Sequence, residues 1–163
     1  MVFDTSAWIA LAESEPGADE VEAHVAAAWL GRASIRSSFV TLTELQYIRT
    51  NEQGAESAAN LMAWVKQQPV QWMHSDDALC GEAARLKAAH KISFADAFVA
   101  ATALRLNATL VHKDPEFTAL SGALKLHSLP PKTGAGRAVK ERDGGAGGRG
   151  GEAGGGGKAT SPG

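Results

Sequence analysis

Asp4, Glu44, Asp96 and Asp114 each stand where a short apolar run meets the start of a helix pattern. Their settings are Val2-Phe3-Asp4-Thr5-Ser6, Thr41-Leu42-Thr43-Glu44-Leu45, Ser93-Phe94-Ala95-Asp96-Ala97 and Val111-His112-Lys113-Asp114-Pro115. Taken singly, each reads as a helix cap. Asp4 and Asp114 occupy N-cap positions, the second ahead of a proline at the first helical residue. Thr41-x-x-Glu44 and Ser93-x-x-Asp96 have capping-box spacing, in which hydroxyl and acid satisfy opposite orphan N–H groups. The combination asks for more. Carboxylates crowded without counter-charge repel and take up protons, and the usual remedy is a hard divalent cation. Four such acids in one small domain point to a shared pocket and to metal-dependent chemistry on phosphate esters. Cap and ligand are compatible roles, because helix N-termini favour negative charge and hold it in place.

The elements that must position these acids alternate along the chain. Residues 1–3, 34–37, 70–73, 109–112 and 124–129 read as strands. Residues 5–12, 18–30, 41–50, 55–67, 76–90 and 94–106 read as helices, with a short one over 115–120 and a break at 51–54. Leu79, Ala83 and Leu86, with Ala89 or His90, mark one face of a helix. The 94–106 helix is apolar nearly all round and should be buried, which makes an unpaired Asp96 expensive. The alternation predicts an α/β fold, a three-layer α/β/α sandwich with a central, mainly parallel sheet. Ligands of such sheets bind beyond the carboxyl ends of the strands, where Asp4 and Asp114 fall.

Composition sets the bounds. The chain has 163 residues, 44% apolar and 21% charged, enough for one globular domain over residues 1–131. Residues 134–163 hold 13 Gly and almost no large apolar side chain, so 132–163 is expected to be a disordered Gly-rich tail. Residues 1–133 carry 11 Lys and Arg against 15 Asp and Glu, a net charge of −4. A protein that held nucleic acid by charge alone would want a basic face. No apolar run approaches a membrane span, and no basic segment leads into an apolar one at the start. The single cysteine, Cys80, fits a reducing, cytoplasmic compartment and reads as a small buried residue.

The segments around the four acids resemble those of the PIN-domain ribonucleases, and most closely the VapC-type toxins of prokaryotic toxin–antitoxin pairs. The matching pieces are Val2-Phe3-Asp4-Thr5-Ser6-Ala7 with Ile9-Ala10-Leu11, and Thr41-Leu42-Thr43-Glu44-Leu45. They continue with Ile92-Ser93-Phe94-Ala95-Asp96-Ala97-Phe98-Val99-Ala100-Ala101 and Leu110-Val111-His112-Lys113-Asp114-Pro115-Glu116-Phe117. The third piece is the most diagnostic. The resemblance implies that Asp4, Glu44, Asp96 and Asp114 surround one or two Mg²⁺ or Mn²⁺ ions and that the reaction is hydrolysis of an RNA phosphodiester. It gives a supporting role to Thr5 or Ser6 and to Ser93. It also implies a cognate antitoxin protein and a homodimer as partners, and no membrane.

Other residues carry weaker expectations. His112 stands where the family has Thr or Ser; on a strand it faces the same side as Asp114, either donating to the site or filling its rim. Glu116 reads as a solvated residue, with an outer role beside the acids as the alternative. Arg36, Arg49 and Lys113 are candidates for positioning phosphate. Most of the tryptophans read as core, with Trp8 a candidate to stack a base or meet a partner. An aspartate-nucleophile phosphatase would need a second acid at position 6, which is Ser; a receiver domain would need an acidic pair near the first strand. A non-catalytic binding module on the same scaffold stays open as the alternative function.

Overall fold

The structure, a computed structural model, describes residues 1–131; the expected Gly-rich tail lies outside the described residues. Five strands form one sheet: β1 (Val2–Phe3), β2 (Ile35–Ser38), β3 (Val70–Met73), β4 (Leu110–His112) and β5 (Leu126–Ser128). Their order is β3-β2-β1-β4-β5, and every pairing is parallel. Five helices connect them: α1 (Thr5–Ala12), α2 (Ala18–Trp29), α3 (Phe39–Lys66), α4 (Asp77–Ala89) and α5 (Phe94–Arg105), with a 3₁₀ turn over Pro115–Leu120. The sheet is therefore parallel throughout, sandwiched between helical layers as the sequence implies.

Side-chain alternation along the strands builds two cores. Val2 and Leu110 face α4, α5 and the 3₁₀ turn, packing with Leu79, Leu86, Phe98, Phe117 and Leu120. Phe3, Ile35 and Val111 face the other way, onto α1, α2 and α3, with Trp8, Val21, Leu45 and Val65. Trp8 is fully buried, its indole N–H donating to Ser37 Oγ (2.8 Å), which in turn donates to the Phe3 carbonyl (2.9 Å). A buried indole needs such a partner. This one ties α1 to the two strands beside it, and it removes Trp8 as a stacking surface. Trp29, by contrast, is exposed rather than core, as is Cys80 on the outer side of α4.

Helix boundaries show what the sequence pattern missed. α3 begins at Phe39 with Ser38 as N-cap, and Ser38 makes no side-chain cap bond. Thr41 is therefore inside the first turn, its capping box with Glu44 does not form, and the hydroxyls of Ser38 and Thr41 are buried without a partner among the described residues. The expected break over 51–54 contracts to one residue, Gly54, at φ 85° and ψ 169°. Only glycine adopts that region at ease, so the turn of the chain can be confined to one residue while the helix continues on both sides. A Cβ at Gly54 would meet no atom within 4 Å, so a side chain there faces open space. Gly54→Ala should consequently cost roughly 1–3 kcal/mol from backbone strain alone. Urea denaturation checks this, and an unchanged stability would show that the kink is not held at this residue.

Candidate active site

The four acids meet at the carboxyl ends of the strands. Asp4, Glu44, Asp96 and Asp114 line one cavity of about 160 Å³, together with Thr5, Ser6, Ile9 and Ile48. Asp4 directly follows β1, Asp114 is the second residue after β4, Glu44 sits in the second turn of α3, and Asp96 in the first turn of α5. The residues that share the cavity span 110 positions of the chain.

Each acid is held by a hydroxyl or a helix end. Asp4 caps α1: Ser6 gives its N–H (3.1 Å) and its hydroxyl (2.6 Å) to Asp4 Oδ2. Ser6 Oγ is itself fixed by the Lys113 N–H at 2.9 Å, so the β4 end of the sheet sets the Asp4 carboxylate. Thr5 donates to Glu44 Oε2 at 2.6 Å, which takes the place of the absent capping box on α3. Ser93 and Asp96 do form a reciprocal capping box: Ser93 Oγ accepts from the Asp96 N–H at 3.0 Å and Asp96 Oδ2 from the Ser93 N–H at 3.3 Å. Asp114 caps the 3₁₀ turn, accepting from the Glu116 N–H at 2.8 Å. The sequence left the choice between Thr5 and Ser6 open; the two hydroxyls serve different acids.

The electrostatics follow from burial. Asp4 is 4% exposed, and burial pushes its carboxyl up to about 6 despite the Ser6 bonds, with the Asp96 charge adding to the rise. Burial also raises Glu44, opposed by its Thr5 bond and assisted by the charges of Asp96 and Asp114. The acids thus feel one another, and among the described residues no cation lines the cavity. The donors are hard oxygens, the set that Mg²⁺ or Mn²⁺ prefers, and a cation there would offset both desolvation and mutual repulsion. Among the described residues, no three or more His, Cys, Asp and Glu side chains form a group that could hold a metal as they stand.

Four expected helpers do not line the cavity. Arg36 is in the first half of β2, in register with Val2, and bonds Gln71 and Ser34 toward the amino end of the sheet. It does not line the cavity of the acids. Lys113 is near them, but its ammonium forms an almost fully buried ion pair with Glu15 (2.7 Å). Arg49 is likewise paired with Glu13 at 3.0 Å. His112 is buried and does not line the cavity. Its Nδ1 meets the Asp114 carbonyl at 2.8 Å and its Nε2 meets Ser128 Oγ at 3.2 Å. A carbonyl only accepts, so Nδ1 carries the proton and Nε2 accepts from Ser128. Burial lowers the pKa of this ring, keeping it neutral near pH 7. His112 therefore shapes the loop that carries Asp114. The signal that would have exposed the Glu15–Lys113 pair is absent from local pattern, because its partners are 98 residues apart.

Comparison with known proteins bears on the family and the fold. The sequence model of the PIN domain matches residues 1–123, and the chain belongs to that family. No curated protein matches the sequence. Among solved structures, VapBC2 from Rickettsia felis, bound to a DNA fragment from its promoter, is similar with a TM-score of 0.64 at 19% identity, over 80% of this chain and 100% of that one. VapC20 from Mycobacterium tuberculosis, described as a sarcin-ricin loop cleaving toxin, gives 0.59 at 20% identity, over 77% and 98% of the two chains. VapBC-1 from nontypeable Haemophilus influenzae gives 0.59 at 22%, over 78% and 98%. At these identities the likeness establishes a shared fold.

The raised Asp4 has a consequence for stability. Unfolded, its carboxyl titrates near 3.8; folded, near 6. Between those values the folded chain binds more protons than the unfolded one, so stability falls as pH rises through the window. At 1.36 kcal/mol per unit the loss is on the order of 3 kcal/mol. Asp4→Asn, measured in chelator, should be more stable than wild type at pH 7.5, with the advantage vanishing toward pH 4. The difference between the two proteins isolates Asp4 from Glu44 and His112. A variant that tracks wild type at every pH would mean that the Asp4 carboxylate is not strained by burial.

Proposed function

We propose that this chain is a Mg²⁺- or Mn²⁺-dependent endoribonuclease, the toxin of a type II toxin–antitoxin pair. One observation carries the reading: Asp4, Glu44, Asp96 and Asp114 share a cavity at the carboxyl ends of a parallel sheet, with no cation among the described residues that line it. Membership of the PIN domain family and a fold shared with VapC20 and with VapBC complexes support it. Held by these four acids, such an ion would supply Lewis acidity for activating a water and for stabilising the departing oxygen of an RNA phosphodiester. The protein's part is to bring four carboxylates to one cavity. Ser6 fixes the orientation of Asp4, Thr5 that of Glu44, and the helix ends hold Asp96 and Asp114. Because Lys113 and Arg49 already serve ion pairs, the first almost fully buried and the second partly so, attraction for the phosphate backbone would fall largely to the ion itself. That agrees with a domain whose net charge is negative.

The partners follow from the same reading. A cognate antitoxin is supported by the similar toxin–antitoxin complexes. A homodimer is supported by the outer face of α4 and α5, where exposed Phe94 adjoins an apolar groove floored by Ala83, Ala84, Ala88 and Ala97. A knob and a hole on one face suit a two-fold contact, in which each copy fills the other. None of the described helices is long and apolar enough to cross a membrane, and we assign the activity to the cytoplasm.

The test is incubation of the purified chain with cellular RNA in Mg²⁺ or Mn²⁺, with and without chelator. Cleavage should require the ion, and mapping new 5′ ends identifies the substrate. Asp4→Asn and Asp96→Asn should each lose at least about a hundredfold in rate, since even outer partners of a metal are worth roughly 10–100-fold. Their folds should persist by circular dichroism. Ion-dependent cleavage by both variants at the wild-type rate would overturn the assignment, and no chelator-sensitive cleavage of any RNA would favour a binding module.

A further inference from the structure

Glu116 is solvent-exposed at the start of the 3₁₀ turn, yet its main chain bonds one of the acids and its side chain bonds the N-cap of the helix that carries another. Its N–H donates to Asp114 Oδ1 at 2.8 Å. Its carboxylate reaches across to α5 and accepts from the Ser93 N–H at 3.1 Å, over 23 residues of sequence. The same N–H also reaches Asp96 Oδ2, at the longer distance of 3.3 Å. Ser93 thus divides one donor between two carboxylates, of which only Asp96 lines the cavity.

That division matters as soon as Asp96 has another task. As the acid of a capping box, Asp96 keeps an oxygen on the Ser93 amide. A carboxylate that turns to a cation gives up that bond, and the N–H at the helix start would be left without a protein acceptor. Glu116 already stands on the same N–H and can keep it. Resting on the metal-dependent reading above, we propose that Glu116 is a positioning residue for the ion site: it takes over the cap of α5 and so frees the Asp96 carboxylate for the cation. By giving its N–H to Asp114 and its carboxylate to Ser93, it also braces the Asp114 loop against α5, across which the two acids repel. This role needs an acceptor oxygen at position 116 and does not need a charge.

The substitutions Glu116→Gln and Glu116→Ala separate those requirements, since glutamine keeps the acceptor and alanine removes it. Mn²⁺ affinity of the full chain is read by electron paramagnetic resonance of the free ion. Glu116→Ala should bind on the order of tenfold more weakly, as expected for loss of an outer partner, while Glu116→Gln stays within about threefold of wild type. Hydrogen exchange of the Ser93 amide at saturating Mg²⁺ gives a second readout. Protection should survive ion binding in wild type and Glu116→Gln and be lost in Glu116→Ala. Melting without ion should be near wild type for both, because the side chain is exposed. Equal affinity in all three proteins overturns the role, and so does a loss with glutamine as large as with alanine, which would make the charge the active element. Wild-type protein that binds no Mn²⁺ sinks the metal reading itself, and this inference with it.

Discussion

Negative charge in a dry place is the constraint that organises this molecule. Asp4 and Asp96 are nearly inaccessible, and Glu44 and Asp114 share their cavity. An isolated ionised carboxylate is costly to bury, and like charges nearby add to the cost. The protein answers with oriented dipoles. Hydroxyls of Ser6 and Thr5 and the amide donors at the starts of α1 and α5 all point at carboxylate oxygens. Such donors stabilise charge without neutralising it, and helix N-termini add their own partial positive charge. The raised pKa values of Asp4 and Glu44 show that the answer is incomplete.

Two side-chain cations carried on the same segments as the acids are engaged elsewhere. Lys113 and Arg49 lie close in sequence to Asp114 and Glu44, but Glu15 and Glu13 at the end of α1 hold them. Breaking a buried pair by removing one partner typically costs about 3–5 kcal/mol, so the Lys113 ammonium is not free to swing into the cavity. The Glu15–Lys113 pair does structural service instead. It fastens the end of α1 to the loop after β4, where the Lys113 N–H fixes Ser6 and Ser6 fixes Asp4. Residues that sequence alone would assign to substrate thus set the geometry of the acids and leave the cavity short of positive charge. That shortage is what a divalent ion can supply.

Legibility from sequence followed the range of the interactions. The α/β alternation, the strand positions and the caps at Asp4, Ser93 and Asp114 rest on local pattern, and all are present in the structure. The capping box at Thr41 failed because spacing alone does not say where a helix begins: Phe39 and Val40 extend α3 backward, and Glu44 finds Thr5 from another element. Trp8 reads as an available aromatic until Ser37, 29 residues away, claims its N–H. Cys80 reads as buried from its apolar neighbours, whereas α4 turns Leu79, Ala83 and Leu86 inward and Cys80 outward. The surroundings of Arg36 and Lys113 are hidden from local pattern for the same reason, since Gln71 is on the neighbouring strand and Glu15 is 98 residues away.

Why acids so far apart in sequence converge follows from the order in which the strands are laid down. From β1 to β3 the chain steps steadily toward one edge, with α1, α2 and most of α3 packed on one face. It then returns across the sheet through α4 and α5 on the opposite face and adds β4 on the far side of β1. Right-handed crossovers require this change of face whenever the direction of travel reverses. The loops leaving β1 and β4 must then part to opposite faces and open a crevice between their carboxyl ends, the place where ligands of open parallel sheets bind. Asp4 and Asp114 are the residues that leave those two strands. Glu44 enters from the helix on one face and Asp96 from the helix on the other, each near its N-terminal end. The crevice is thus a product of topology, and the four acids occupy the positions from which it can be reached.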